Sequence, residues 1–486
     1  MTETAFSGAG EMARMIRDGE ASSVELTDHL IDRIERFDGD INAVVVRDFE
    51  RAREAAREAD ARLAKGDLAG PLHGVPMTIK ESYDIEGLPT TWGVPMFKDN
   101  IATSDSESVR AYKQAGAVFL GKTNVPLELA DFQSYNDIYG TTHNPWNLTR
   151  IPGGSSGGAA AALAAGLTAL ESGSDIGGSI RNPAHFCGVY GHKPTWGIVP
   201  PQGHGLPNMF AGPDIAVCGP LARSAEDLAL AMDVLAGAEP LDRPGWQLNL
   251  PRPRKQSLGD FKVAIWPNDE LAPVEQEVAD RAIRIGETLA KLGATVSDRA
   301  RPDFDTRRGH VTYTNLLNSI MTAGVPDEVY DAMQVAAGQT DPNDLSDESV
   351  QARSAVLSHR DWLRSNNHRE RLRYVWREFF DEWDILICPQ TATPAFPHDH
   401  GAMPARILKV DSQDQPYFQQ LYWAGLITAS YLPSTVFPTG PSLEGLPIGL
   451  QAVGAEYDDY ATIDFTRLVA EEIGGFVSPP GYSDAS

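Results

Sequence analysis

Two glycine-serine segments, close together in the chain, constrain its folding more than any other feature. "PGGSSGGAAAALAAG" runs from Pro152 to Gly166 and "GSDIGGSIRNPA" from Gly173 to Ala184. Each ends at a predicted helix start. Glycine lets successive backbone N–H groups turn toward one oxygen, and a helix N-terminus adds partial positive charge. Both segments therefore suit an anion or a developing oxyanion.

The surrounding sequence reads as α/β. Short apolar runs at 75–79, 117–121, 261–266, 384–388 and 449–454 are strand-like, and helical periodicity separates them. Residues 11–37 give two helices, the second with Leu26, Leu30, Ile34 and Phe37 on one face and Ser22 or Ser23 as cap. Residues 48–65 read as a solvated helix with Glu54 paired to Arg57 and Glu58 to Arg62. Val274, Val278, Ala282, Ile285, Leu289 and Leu292 mark another helix, and 306–383 is mainly helical. The expected fold is a single large α/β domain over 1–486, with a central mixed, mostly parallel sheet covered by helices on both faces. Within it, 1–65 wraps the core and 66–238 carries the glycine-serine segments. The Pro-rich stretch in 239–260 is a surface connection, and 261–486 supplies the rest of the sheet, a helical insert and pocket loops.

Bulk properties exclude several functions. A formal charge of −26 opposes a phosphate-neutralising surface, so no nucleic-acid partner is expected. Cys187, Cys218 and Cys388 stand far apart with no zinc-ligand spacing, which predicts no metal and fits a reducing compartment. The acidic N-terminus lacks the basic and apolar regions of a signal peptide, so a cytoplasmic location is expected. The longest apolar run, Ala159 to Leu170, is shorter than the ~18 residues of a membrane span and reads as a buried helix.

Neither glycine-serine segment holds the G-x-x-x-x-G-K-[ST] pattern of a P-loop. Gly153 to Gly157 matches G-x-S-x-G, but the preceding "HNPWNLTRIP" is too polar and proline-rich for the strand that feeds a nucleophile elbow. A third feature matters more. Lys80 ends the apolar run of "GVPMTIKES" in a chain far richer in arginine than lysine. A buried lysine loses its charge readily and can act as a base, which a guanidinium cannot.

Together, "HGVPMTIK", "GGSSGG" and "GSDIGGSIRNPAHFCGVYGHKPTWG" resemble the amidase signature family in order and interval. The similarity extends through "GPLARSAEDLAL", "DILICP" and "GLPIGLQAVG". The resemblance implies a Ser-Ser-Lys triad: Ser179 as nucleophile, Lys80 as base, and Ser155, after a cis peptide bond, as the bridge. It also implies an oxyanion hole from the N–H groups of Ile176, Gly177 and Gly178, together with that of Ser179, and no cofactor. Ser156, Asp175 and Arg181 are expected to support the loop, while His185, His192 and Cys187 are expected in packing or local hydrogen bonds.

Two departures from the family pattern concern substrate. Glu81 follows the lysine where aspartate is usual, and Tyr431 stands where relatives have glycine, so its ring is expected to re-line the acyl pocket. Gln133 and Tyr135, with the segment 201–214, are expected near the entrance. The implied partner is a small amide, anilide, ester or carbamate, handled by a monomer or homodimer at no membrane. Two rival readings are the glutaminase subunit of a tRNA-dependent amidotransferase and a non-catalytic binding protein on the same scaffold.

Overall fold

Ser22 opens the long N-terminal helix Ser23–Ile41 with a capping box: its Oγ accepts from Glu25 N–H at 3.1 Å and its own N–H donates to Glu25 Oε2 at 2.8 Å. This computed structural model describes residues 4–207 and 209–483. Met1–Glu3 of the N-terminal segment and Asn208 of the expected entrance segment lie outside the described residues. The apolar stripe of Leu26, Leu30 and Ile34 packs inward, and Arg33 reaches across to the carbonyls of Ala165 and Gly166. Helix Phe49–Leu63 follows, with Ala52, Ala56 and Ala59 buried. The expected Glu54–Arg57 and Glu58–Arg62 pairs are absent among the described residues: Arg62 pairs instead with Asp67, while Arg53 bridges Glu50 on the same helix and Asp28.

Two sheets carry the chemistry. The smaller has the order Val44–Arg47, Val118–Thr123, Pro76–Lys80. The larger has eight strands in the order Thr295–Ser297, Lys262–Ile265, Ile385–Pro389, Pro447–Val453, Ser434–Pro441, Tyr190–Lys193, Val217–Ala222 and Glu171–Asp175. It is mixed, as expected, but parallel pairing is confined to the first three strands. Every other pairing is antiparallel. The expectation of a mostly parallel sheet fails for a topological reason. The crossover from Glu171–Asp175 through helix Arg181–Cys187 to Tyr190–Lys193 does return the chain in the same direction. Val217–Ala222 then inserts between those two strands and runs against both. Residues 434–441 and 447–453 pair as a hairpin, which a short connection permits only between antiparallel strands.

Helix Gly157–Ala164 is buried along its whole length, so its small side chains let neighbouring backbone approach closely. A β-carbon on Gly158 would sit 2.3 Å from Asn124 N. The apolar run continues past this helix through a turn to Leu170 rather than as helix. Residues 306–382 supply the helical insert, chiefly Thr306–Met321 and His359–Glu382. Residues 239–255 form no helix or strand. No described helix is long and apolar enough to cross a membrane.

Candidate active site

Lys80 is the last residue of a strand whose five residues are all buried. Its Nζ donates to Ser155 Oγ at 2.7 Å and to Ser174 Oγ at 2.9 Å. Among the described residues no carboxylate is bonded to it, and burial pulls the ammonium down to about 7. The Gly154–Ser155 peptide bond is cis, as the resemblance implies. Ser156 N–H donates to the Ser179 carbonyl at 3.0 Å, which ties the two serine segments together. Ser156 Oγ reaches the Ser174 carbonyl at 3.5 Å. Ser179 retains 8% exposure against 0% for Lys80 and 1% for Ser155, so it alone of the three opens outward. Among the described residues, no hydrogen bond joins Ser155 Oγ to Ser179 Oγ; each hydroxyl turns about a single bond.

Asp175 ends its strand and organises the loop that follows. Its carboxylate accepts from the N–H groups of Gly178 at 2.9 Å and Ile180 at 3.1 Å, and from Arg181 Nε at 3.0 Å and Nη2 at 2.9 Å. Burial pushes this carboxyl up, but Arg181 and the N–H donors outweigh it and hold the group at about 2. Arg181 also donates to Thr428 Oγ1 and Gln451 Oε1. Asp175 and Arg181 thus brace the loop from within the core.

The oxyanion set needs one correction. Gly178 N–H is occupied by Asp175, so it is not open to a substrate oxygen. Among the described residues, the N–H groups of Ile176, Gly177 and Ser179 have no protein acceptor, which leaves these three as the available donors. Gly178 has φ +100°, and a β-carbon there would meet Gln390 Nε2 at 2.6 Å, so both conformation and space require glycine.

The three expected pocket residues are held by other protein groups. Gln133 closes on the backbone of Asp399, donating at 2.7 Å and accepting at 3.0 Å. Tyr135 accepts from Arg406 and stacks on His400. Tyr431 has φ 64°, the left-handed geometry expected of a glycine position. Its ring stacks on Trp196 beneath Arg369 and Arg373, and its hydroxyl donates to Asp214 at 2.6 Å. It fastens the 196 and 214 segments to the helical insert behind Ile176, instead of presenting a free face to the acyl pocket.

His185 bonds the backbone at Gly449 and Thr393, and His192 lies between Thr435 and Asp459. Cys187 is buried and donates to the Pro152 carbonyl. These residues serve packing and local bonding.

Sequence reasoning missed several contributors. Ser174, the second hydroxyl on Lys80, lay inside the motif and could have been found from strand alternation. Tyr313 is invisible locally: it comes from the helical insert and donates to the Ile176 carbonyl at 3.0 Å. Asn182 Oδ1 accepts from Gly154 N–H at 3.0 Å, securing the cis turn to helix Arg181–Cys187. No described group of His, Cys, Asp and Glu could hold a metal ion.

A chain with this fold and site is an amidohydrolase. The model of the Amidase family matches residues 25–463, and the chain belongs to that amidase signature family. It is 32% identical to the indoleacetamide hydrolase of Bradyrhizobium diazoefficiens, over 96% of this chain and 86% of that protein. It is also 32% identical to one subunit of the glutamyl-tRNA(Gln) amidotransferase of Gloeobacter violaceus, over 91% of each. The solved structure of a bacterial aryl acylamidase superposes with a TM-score of 0.78 at 26% identity, covering 96% of both chains.

Proposed function

We propose that this amidohydrolase cleaves the C–N bond of a small carboxamide or anilide through an acyl-enzyme on Ser179. The observation that carries the reading is the buried Lys80 amine, 2.7 Å from Ser155 Oγ and, among the described residues, bonded only to hydroxyl groups. Neutral Lys80 takes a proton from Ser155 as Ser155 takes one from Ser179, whose oxygen attacks the carbonyl carbon. The N–H groups of Ile176, Gly177 and Ser179 receive the negative oxygen; losing one such donor typically costs ~3 kcal/mol in the transition state. The proton returns through Ser155 to the leaving nitrogen, the C–N bond breaks, and water repeats the sequence to release the acid. Esters and carbamates present the same carbonyl and are further candidate substrates.

A hydrolysis panel of primary amides, anilides, carbamates and esters tests the reading. Turnover is expected in the wild type, with loss in Ser179→Ala and Lys80→Ala and labelling of Ser179 by a fluorophosphonate. Full activity in either variant would remove the mechanism. Similarity to the amidotransferase chain supports a second reading, glutamine hydrolysis within a larger complex. Ammonia release from glutamine only when partner subunits and charged tRNA are added would favour it.

A further inference from the structure

Gln390 follows directly on the strand Ile385–Pro389, and the backbone there is fixed by a bond from Gln451 Nε2 to the Pro389 carbonyl at 2.8 Å. Its side chain turns toward the nucleophile loop, where Nε2 lies 2.6 Å from the point a β-carbon of Gly178 would occupy. Gln390 is 1% exposed, yet among the described residues its Oε1 has no hydrogen-bond partner. Asn182 Nδ2, 3.4 Å from the same point, is also buried and unpartnered. A buried acceptor and a buried donor left open beside one loop are costly unless a substrate group or an ordered water completes them.

The wall around Gln390 identifies the part of the substrate it faces. The proposed relay returns its proton to the leaving nitrogen, which places that nitrogen toward Ser155 and Lys80. Gln390 reaches the loop with Ala424 and Leu421, from a strand and a helix that contribute nothing to the relay. That wall is therefore left to the acyl group. The polar side-chain groups that meet Gly178 on this wall are the neutral amides of Gln390 and Asn182. The nearby charges of Asp175 and Arg181 are spent on each other.

The geometry points to Gln390 as a specificity-determining residue that hydrogen-bonds a neutral polar substituent, such as a hydroxyl, on the carbon next to the scissile carbonyl. This inference rests on Ser179 being the nucleophile of an amide hydrolase. Under it, acyl groups with an uncharged hydroxyl or amide at that position are preferred over apolar groups of equal shape.

The test compares the 4-nitroanilides of 2-hydroxypropanoic acid, both enantiomers, and of 2-methylpropanoic acid, in which a methyl replaces the hydroxyl. For the better enantiomer, the hydroxyl-to-methyl ratio of kcat/KM is expected to fall about 10- to 100-fold from the wild type to Gln390→Met and Gln390→Leu. Because each ratio is internal to one enzyme, the intrinsic reactivity of the two anilides cancels. Equal ratios in wild type and variants would overturn the assignment. Loss of fluorophosphonate labelling in both variants would do so too, since removing an amide that serves only substrate leaves no protein group unsatisfied. A wild type that neither cleaves the anilides nor labels at Ser179 fails the hydrolase reading first, and this inference with it. A wild type that labels at Ser179 and cleaves both anilides, with ratios unmoved by the substitutions, fails this inference alone.

Discussion

Lys80 and Arg181 are both fully buried cationic side chains that flank one short loop, yet their surroundings treat them in opposite ways. Arg181 donates to the Asp175 carboxylate from Nε and Nη2, to Thr428 Oγ1 also from Nη2, and to Gln451 Oε1 from Nη1. Lys80 is met by two hydroxyls and no bonded carboxylate. The first arrangement is a closed ion pair that holds backbone in place. The second favours the uncharged amine and so supports a base. Burial to the same extent thus yields a fastening or a reactive group according to the partner supplied.

The largest expected effect comes from giving position 80 the chemistry of Arg181. Lys80→Arg cannot give up its proton, so kcat/KM should fall about 10²- to 10⁴-fold, with no recovery at high pH. Steady-state kinetics across pH checks this, and recovery above neutrality would break the contrast. Removing the charge from the other side is expected to act on folding. Arg181→Met leaves Asp175 buried without its counter-ion and should cost about 3–5 kcal/mol in denaturant unfolding.

The pH dependence of the wild type sharpens the same contrast. Lys80 is pulled down to about 7, and the proposed relay needs its amine neutral. Thus kcat/KM should fall about tenfold per unit as pH drops below 7 and level off above it. Asp175 lies at about 2 in the folded chain, below its unfolded value, so its contribution to stability is present above the unfolded carboxylate range and is lost as pH falls toward 2. Activity should therefore fail well before this brace does on acidification. The smallest effect is expected from Tyr313→Phe, which deletes the bond to the Ile176 carbonyl. About 1 kcal/mol should be lost, seen as a lower kcat with little change in KM.

Much of the candidate site is legible in the sequence because it is local. Lys80 ends an apolar run, and Ser155, Asp175, Ser179 and Arg181 lie in glycine-rich segments whose spacing shows in the sequence itself. What is hidden depends on distant chain. Tyr313 and Gln390 reach the loop from segments more than a hundred residues further on. The occupation of Gly178 N–H by Asp175 follows from how the loop turns, which composition does not show. Strand direction fails similarly: a buried strand reads as an apolar run whichever way its neighbours point, so the insertion of Val217–Ala222 leaves no local signal. Tyr431 stands out in the sequence as unusual, but its stacking partners, Trp196 and two arginines of the helical insert, decide what it does.

Lys80 belongs to the three-stranded sheet, whereas Ser174 and the loop bearing Ser179 spring from the outermost strand of the eight-stranded one. Thr78, which donates its hydroxyl proton to Glu171 at 2.5 Å and its N–H to Thr168 at 2.9 Å, spans that seam. Under the proposed relay, catalytic competence is a gauge of how tightly two separately hydrogen-bonded layers stay docked. Mild denaturant that lets them slide by an ångström would silence the enzyme while its circular dichroism still looked native.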